Sequence, residues 1–155
     1  MNTITKVIIP AYNEEKSIAK VIQDLPSTVD EIVVVSNNSS DETVDVAKKT
    51  GATVLTEKRR GYGYACLKGI SYLKSQSIKP DIIVFLDGDY SDYPNELNKL
   101  IAPIINEHLD FVVGARSKKL REKGSMTIPQ IFGNWLATSL MAFFFNSKFT
   151  DLGPF

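Results

Sequence analysis

Residues 81–89 read Asp81-Ile82-Ile83-Val84-Phe85-Leu86-Asp87-Gly88-Asp89. The five apolar residues in the middle are too few for a helix and show no polar alternation. That is the pattern of a parallel strand covered on both faces. Two carboxylates follow directly, and their mutual repulsion calls for a cation to offset it. Hard oxygen ligands suit Mg²⁺ or Mn²⁺, which keep positions open for phosphate oxygens. Asp87 and Asp89 are therefore the candidate metal ligands, with Gly88 permitting a tight backbone path between them. Asp-x-Asp alone is common in turns; its place at the end of an unbroken apolar run is what singles it out. Ser91 and Asp92 fit either water-mediated contacts or an ordinary turn.

Outward from this stretch, similar runs alternate with segments of helical period. Val7-Ile8-Ile9 reads as a first strand closed by Pro10, and Glu31–Val35 as a second. Ala52–Leu55 is a third, shorter strand, and Phe111–Gly114 a fifth. Between the first two, Ile18, Val21, Ile22 and Leu25 fall at i, i+3, i+4, i+7, with Asn13 as a candidate cap. Ser39 and Glu42 have capping-box spacing before a helix that Gly51 ends. A third helix within 61–75 carries Cys66, Ile70 and Leu73 on one face. Pro94 suits the first turn of a helix bearing Leu97, Leu100, Ile101 and Ile104. A polar, basic loop at 117–124 precedes an apolar helix over 128–145. Apolar strands separated by crossover helices predict an α/β fold with a mostly parallel sheet flanked by helices. Such sheets bind ligands beyond the carboxyl ends of the strands, where strand order switches.

The residues after each strand are thus the candidate site. After the first, Tyr12 can stack on a flat base and Glu14 can accept hydrogen bonds from it; a helix cap with solvated acids is the plain alternative. After the second, Ser36-Asn37-Asn38-Ser39-Ser40-Asp41 can read a base edge or ribose, or simply make turns. Arg59-Arg60-Gly61-Tyr62-Gly63-Tyr64-Ala65 precedes a helix. Gly61 and Gly63 let backbone approach a ligand, helix N-terminal amides favour phosphate, and the arginines can add charge pairing. Arg116, after the fifth strand, is a further phosphate candidate.

Composition removes several function classes. The chain has 155 residues, 43% apolar, with 18 basic and 18 acidic side chains. That supports a single domain and gives no electrostatic footprint for nucleic acid. One cysteine and one histidine rule out an internal disulfide and any Ser-His-Asp or Cys-His arrangement beyond a lone His108, and suit a reducing compartment. Met1–Lys6 leads straight into a strand rather than forming a signal peptide. The apolar run from Trp135 to Phe145 is well short of the ~20 residues that span a bilayer, so membrane contact would be peripheral. Neither Gly-x-Gly-x-x-Gly nor a Walker motif occurs.

Together, Val7–Glu15, Asn37–Thr43, Gly61–Ala65, Asp87-Gly88-Asp89, Gly114-Ala115-Arg116 and Thr150–Phe155 resemble glycosyltransferase family 2, the inverting enzymes of GT-A fold. The branch most similar is the dolichyl-phosphate mannosyltransferase type. The resemblance implies a Rossmann-like nucleotide-diphospho-sugar transferase fold. It implies a hexosyltransferase that moves a sugar from a UDP- or GDP-sugar to a lipid-phosphate, saccharide or small-molecule acceptor. Pro10, Tyr12 and Glu14 would line the base pocket, with Asn37 beside it. Asp87 and Asp89 would hold Mg²⁺ or Mn²⁺, and Arg116 would contact phosphate. Asp151 would face the acceptor and reactive sugar, and with Asp89 it is the candidate catalytic residue. The family's acidic pair after the second strand falls on Ser36 and Asn37, which leaves the nucleotide base open. The family continues past Phe155, so the C-terminal part of its domain is expected to be missing. The implied location is the cytoplasm, at the inner membrane face for a lipid-linked acceptor, and the apolar helix suits membrane contact or a homo-oligomer. Two rivals are a nucleotidyltransferase, whose Gly-rich basic loop Pro10-Ala11-Tyr12 does not supply, and a non-catalytic binding module.

Overall fold

The computed structural model describes residues 3–114 and 128–145. The chain divides into two compact units, Met1–Ala102 and Pro103–Phe155. The first contains four parallel strands, β1 (Thr5–Ala11), β2 (Glu31–Ser36), β3 (Thr53–Thr56) and β4 (Ile82–Phe85), in the order β3-β2-β1-β4. The chain winds outward from β1 through β2 to β3, then crosses back so that β4 lies on the other side of β1. That reversal opens a crevice between the carboxyl ends of β1 and β4, the place where an open α/β sheet binds its ligand.

The core follows from period-two alternation along β1 and β2. Ile8, Val33 and Val35 face α3 (Tyr62–Ser75) and cluster with its Ala65 and Leu73, all fully buried or nearly so. Val7, Ile9 and Val34 point the opposite way and are also fully buried. α1 (Ile18–Gln23) buries Ile18, Val21 and Ile22 and packs against α2 (Thr43–Lys49), which lies on β2 and β3. Gly69 lets α3 sit down on β1: a β-carbon there would stand 2.7 Å from Ile8 Cγ2.

At the amino ends of the strands, register pairs Lys6 with Glu31. Lys6 Nζ donates to Glu31 Oε2 at 2.9 Å, and Thr53, Tyr72 and Gln76 also donate to the same carboxylate. Burial alone would raise the Glu31 pKa, but these donors together hold it below the ordinary glutamate value. The network secures the sheet at the pole opposite the crevice.

Several local expectations are corrected. β1 does not stop at Pro10 but runs to Ala11, with Pro10 in register with Val35. The Ile8 carbonyl accepts from Leu86 N, so two residues on, the Pro10 nitrogen faces the same side. There the β4 ladder has already ended at the Ile8–Phe85 pair, and the missing N–H costs no ladder bond. Asn13 does not cap α1; it has φ 57, and its side chain accepts from Ser40 N instead. The Ser39–Glu42 capping box does not form either. Ser39 Oγ bonds Ser36 Oγ and accepts from Asn13 N, while Asp41 caps Thr43 N at 3.0 Å.

β4 is not covered on both faces: Ile83 and Phe85 are 40% and 46% exposed at the edge of the sheet. The expected fifth strand, Phe111–Gly114, is irregular, with Phe111 and Val113 exposed. Its short apolar run pairs with no strand among the described residues. α4 (Leu97–Glu107) follows a short 3-10 turn, Pro94–Glu96, as the Pro94 reading expected, and buries Leu97 and Ile101. In the second unit, α5 (Ile128–Phe145) is the expected apolar helix, and it exposes Phe132, Trp135, Leu136, Leu140, Phe143 and Phe144. Among the described residues no helix is long and apolar enough to cross a membrane.

Candidate functional site

The loops after β1, β2 and β4, with the turn into α3, form the candidate site, all within the first unit. Asp87 is half-buried, Gly88 buried and Asp89 exposed. A β-carbon on Gly88 would lie 3.4 Å from Glu14 Cγ and 3.5 Å from the Pro10 carbonyl oxygen. The acids therefore sit directly across the crevice from the first-strand turn, and Pro10, Glu14 and Gly88 come together as expected. Tyr12, two residues after Pro10, is exposed.

Each acid spends one oxygen on the protein. Asp87 Oδ1 accepts from Tyr62 OH at 3.2 Å, and Asp89 Oδ1 accepts from Ser91 N at 2.9 Å. Their Oδ2 atoms accept no hydrogen bond among the described residues. Two carboxylates with one open oxygen each are a donor set that fits Mg²⁺, a cation that takes one or two carboxylates and fills the rest with water and phosphate. Among the described residues no third acid, histidine or cysteine joins them. Burial, then the Asp87 charge, pushes the Tyr62 hydroxyl well above the usual tyrosine range, so it stays a donor to the carboxylate. Cys66 lies beside Tyr62, and burial raises its thiol pKa too, so it stays protonated.

The first two loops are laced together. Glu14 N donates to Thr43 Oγ1 at 2.7 Å, Glu15 N to Asp41 Oδ2 at 3.1 Å, and Glu42 N to Glu15 Oε2 at 3.1 Å. Ser17 Oγ donates to Glu14 Oε2 at 2.8 Å, and among the described residues Oε1 accepts no hydrogen bond. Asp41 and fully buried Thr43 thus hold Glu14 in place. The sequence offered Asp41 only as a reader of base edge or ribose and gave Thr43 no role, although their position at the start of α2 was a usable signal.

The turn into α3 is built differently from expectation. Arg59 is not a free cation: its backbone N and its guanidinium donate to Glu57 at 2.9–3.1 Å, and it stacks 4.5 Å over the Tyr64 ring. The hydrogen bonds from Arg59 hold the Glu57 carboxyl down at about 2. Arg60 is exposed and makes no ion pair among the described residues. Gly61, at φ 131, is the N-cap of α3, whereas Gly63 is already inside the first turn, with open space around it. Asn37 is buried, and its amide bonds this same turn. Tyr62 is the residue sequence reasoning missed; it was quoted within a motif, but nothing local showed that it reaches Asp87. Arg116 and Asp151 lie outside the described residues.

A family profile described as "Glycosyl transferase family 2" matches residues 6–154. A UDP-N-acetylglucosamine–dolichyl-phosphate N-acetylglucosaminyltransferase from Methanococcus voltae is 31% identical over 156 residues, covering 88% of this chain and 61% of its own length. A low-salt glycan biosynthesis hexosyltransferase from Haloferax volcanii is 29% identical over 94% of this chain and 35% of its own. Among solved structures, the glucosyl-3-phosphoglycerate synthase of Mycobacterium tuberculosis with Mn²⁺, UDP and glucosyl-3-phosphoglycerate superposes with a TM-score of 0.58. It shares 28% identity over 67% of this chain and 40% of its own. The chain thus spans from about a third to three-fifths of the length of these relatives. The sheet and its flanking helices are those of the GT-A fold.

Proposed function

This chain belongs to glycosyl transferase family 2, and we propose that its crevice binds the nucleotide-diphosphate sugar of a sugar-transfer reaction. The observation that carries the reading is the placement of Asp87 and Asp89 at the β1/β4 switch, each with one open oxygen, beside Pro10 and Glu14. In this reading Tyr12 stacks on the base and Glu14 Oε1 accepts from it. Asp87 and Asp89 hold Mg²⁺ or Mn²⁺ against the diphosphate. Bound there, the cation supplies Lewis-acid stabilisation of charge on the departing diphosphate. Arg60 and the amides at the start of α3 add positive potential on the same side. A uridine nucleotide is favoured, because two of the similar proteins carry UDP in their descriptions. Transfer to a hydroxyl acceptor with inversion needs a base, and Asp151 is the proposed one; a phosphate acceptor needs none. A lipid-linked acceptor fits the dolichyl-phosphate relative. The exposed apolar side chains of α5 then suit peripheral contact at the inner face of a membrane, or a second copy of the chain.

Calorimetry of UDP with and without Mn²⁺ tests the donor site. Mn²⁺ should tighten UDP binding in the native chain, and Asp89→Ala should remove that gain. Equal binding with and without the metal would end the metal role. A product assay with a UDP-sugar then separates a transferase from a binding module, which would bind donor and release no UDP. Flotation with anionic vesicles and light scattering distinguish membrane contact from self-association.

A further inference from the structure

We propose that Asn37 is a positioning residue for Asp87, acting through Gly61 and Tyr62. The proposal rests on the metal-and-diphosphate reading above. Asn37 stands at the end of β2, only 8% exposed. Its Nδ2 donates to the carbonyls of Glu57 at 3.1 Å and Arg59 at 2.6 Å, and its Oδ1 accepts from Gly61 N at 2.8 Å. Both amide hydrogens and one lone pair of Oδ1 are thus committed to this one turn. The partners also determine the amide's orientation, since two carbonyls on one side and an N–H on the other admit only one.

The consequence runs outward along the chain. α3 has no side-chain cap of its own at Gly61, and Asn37 supplies the side-chain bond to this N-cap residue. Tyr62 comes next, and its hydroxyl donates to Asp87 Oδ1 at 3.2 Å. Glu57, Arg59 and Tyr64 close the turn on itself from the other side. An amide on β2 is thereby connected through one backbone turn to a carboxylate after β4. Asparagine is required for this: a carboxylate accepts only, and at position 37 it would face two carbonyl oxygens. The position that resembles an acidic nucleotide-binding residue has become part of the scaffold under the metal site.

The test is calorimetry of UDP, with and without Mn²⁺, on the native chain, Asn37→Asp, Tyr62→Phe and the double variant, with melting followed in parallel. Each single change should weaken Mn²⁺-dependent UDP binding by roughly 5- to 10-fold, the scale of one hydrogen bond. The double variant should be no weaker than the worse single one, because both act on one connection. UDP binding without metal should weaken less than Mn²⁺-dependent binding in every variant. Two results would overturn the proposal: effects that multiply, or an Asn37→Asp loss of equal size without Mn²⁺, which would mark a direct nucleotide contact. Should Asn37→Asp not fold, Tyr62→Phe decides alone, since it removes only a surface hydroxyl; unchanged Mn²⁺ dependence there also refutes the connection. Failure of the underlying metal reading looks different: the native chain itself would show no Mn²⁺ effect.

Discussion

Replacing Gly69 with alanine should destabilise the first unit, although the same change in an open helix would stabilise it. Alanine gains about 1 kcal/mol over glycine in a helix interior. Against that, the new β-carbon would stand 2.7 Å from Ile8 Cγ2, 3.1 Å from Cδ1 and 3.2 Å from Cγ1. Ile8 cannot move aside cheaply. It is fully buried in β1, hydrogen-bonded between β2 and β4, and Cγ2 sits directly on its branched β-carbon. Overpacking of this kind costs about 1–3 kcal/mol, so the net expectation is a loss of about 1 kcal/mol. With a urea m-value of roughly 2 kcal/mol/M, the midpoint should fall by about 0.5 M. Urea unfolding followed by circular dichroism measures it. Gly63→Ala is the matched control: it lies in the same helix with nothing within 4 Å of the new carbon, and should not lower the midpoint. A midpoint that rises in Gly69→Ala would refute the argument that α3 rests on β1 through this glycine. If Gly63→Ala keeps its stability but loses UDP affinity, close backbone approach of the ligand at position 63 is supported.

Three further outcomes follow from other parts of the fold. Glu31→Ala should cost on the order of 3 kcal/mol in urea unfolding, the low end for breaking a buried pair, because Gln76 still accepts from Lys6. The native Glu31 pKa is depressed, so its contribution is complete above the ordinary glutamate value and is lost as pH falls through the lowered one. The melting temperature should therefore drop as pH falls below the ordinary glutamate value, and less steeply in Glu31→Gln; parallel curves would contradict the assignment. Gly61→Ala should cost about 1–3 kcal/mol, because φ 131 is closed to a residue with a β-carbon, and a neutral result would mean the turn has another conformation. Arg60→Ala should weaken UDP binding a few-fold, on the order of one exposed charge contact, without changing melting. Arg59→Ala should instead lower melting, and the reverse pattern would exchange their roles.

Much of the sheet was legible because its signals are local. Runs such as Val7-Ile8-Ile9 and Ile82–Phe85 are apolar without alternation, and the buried stripe of α1 has helical period. The Asp87–Asp89 pair stood out because it follows such a run. Boundaries were less legible, since Pro10 can remain in a strand only where the neighbouring ladder has already ended. The caps misled for a similar reason: Asn13 and Ser39 carry the right side chains, but each finds a better partner in the other loop. Phe111–Gly114 has strand composition but forms no strand pairing among the described residues.

The sequence by itself determined the α/β class and marked the strand ends, with Asp87 and Asp89, as the candidate site, because period, apolar runs and charge are written along the chain. The tertiary structure alone decided which strand ends become neighbours and where each polar side chain spends its hydrogen bonds. Tyr62 lies 25 residues from Asp87, and Asn37 lies 24 from Gly61. No spacing rule links them, since the order β3-β2-β1-β4 and the seating of α3 on β1 bring them together only once the chain has folded.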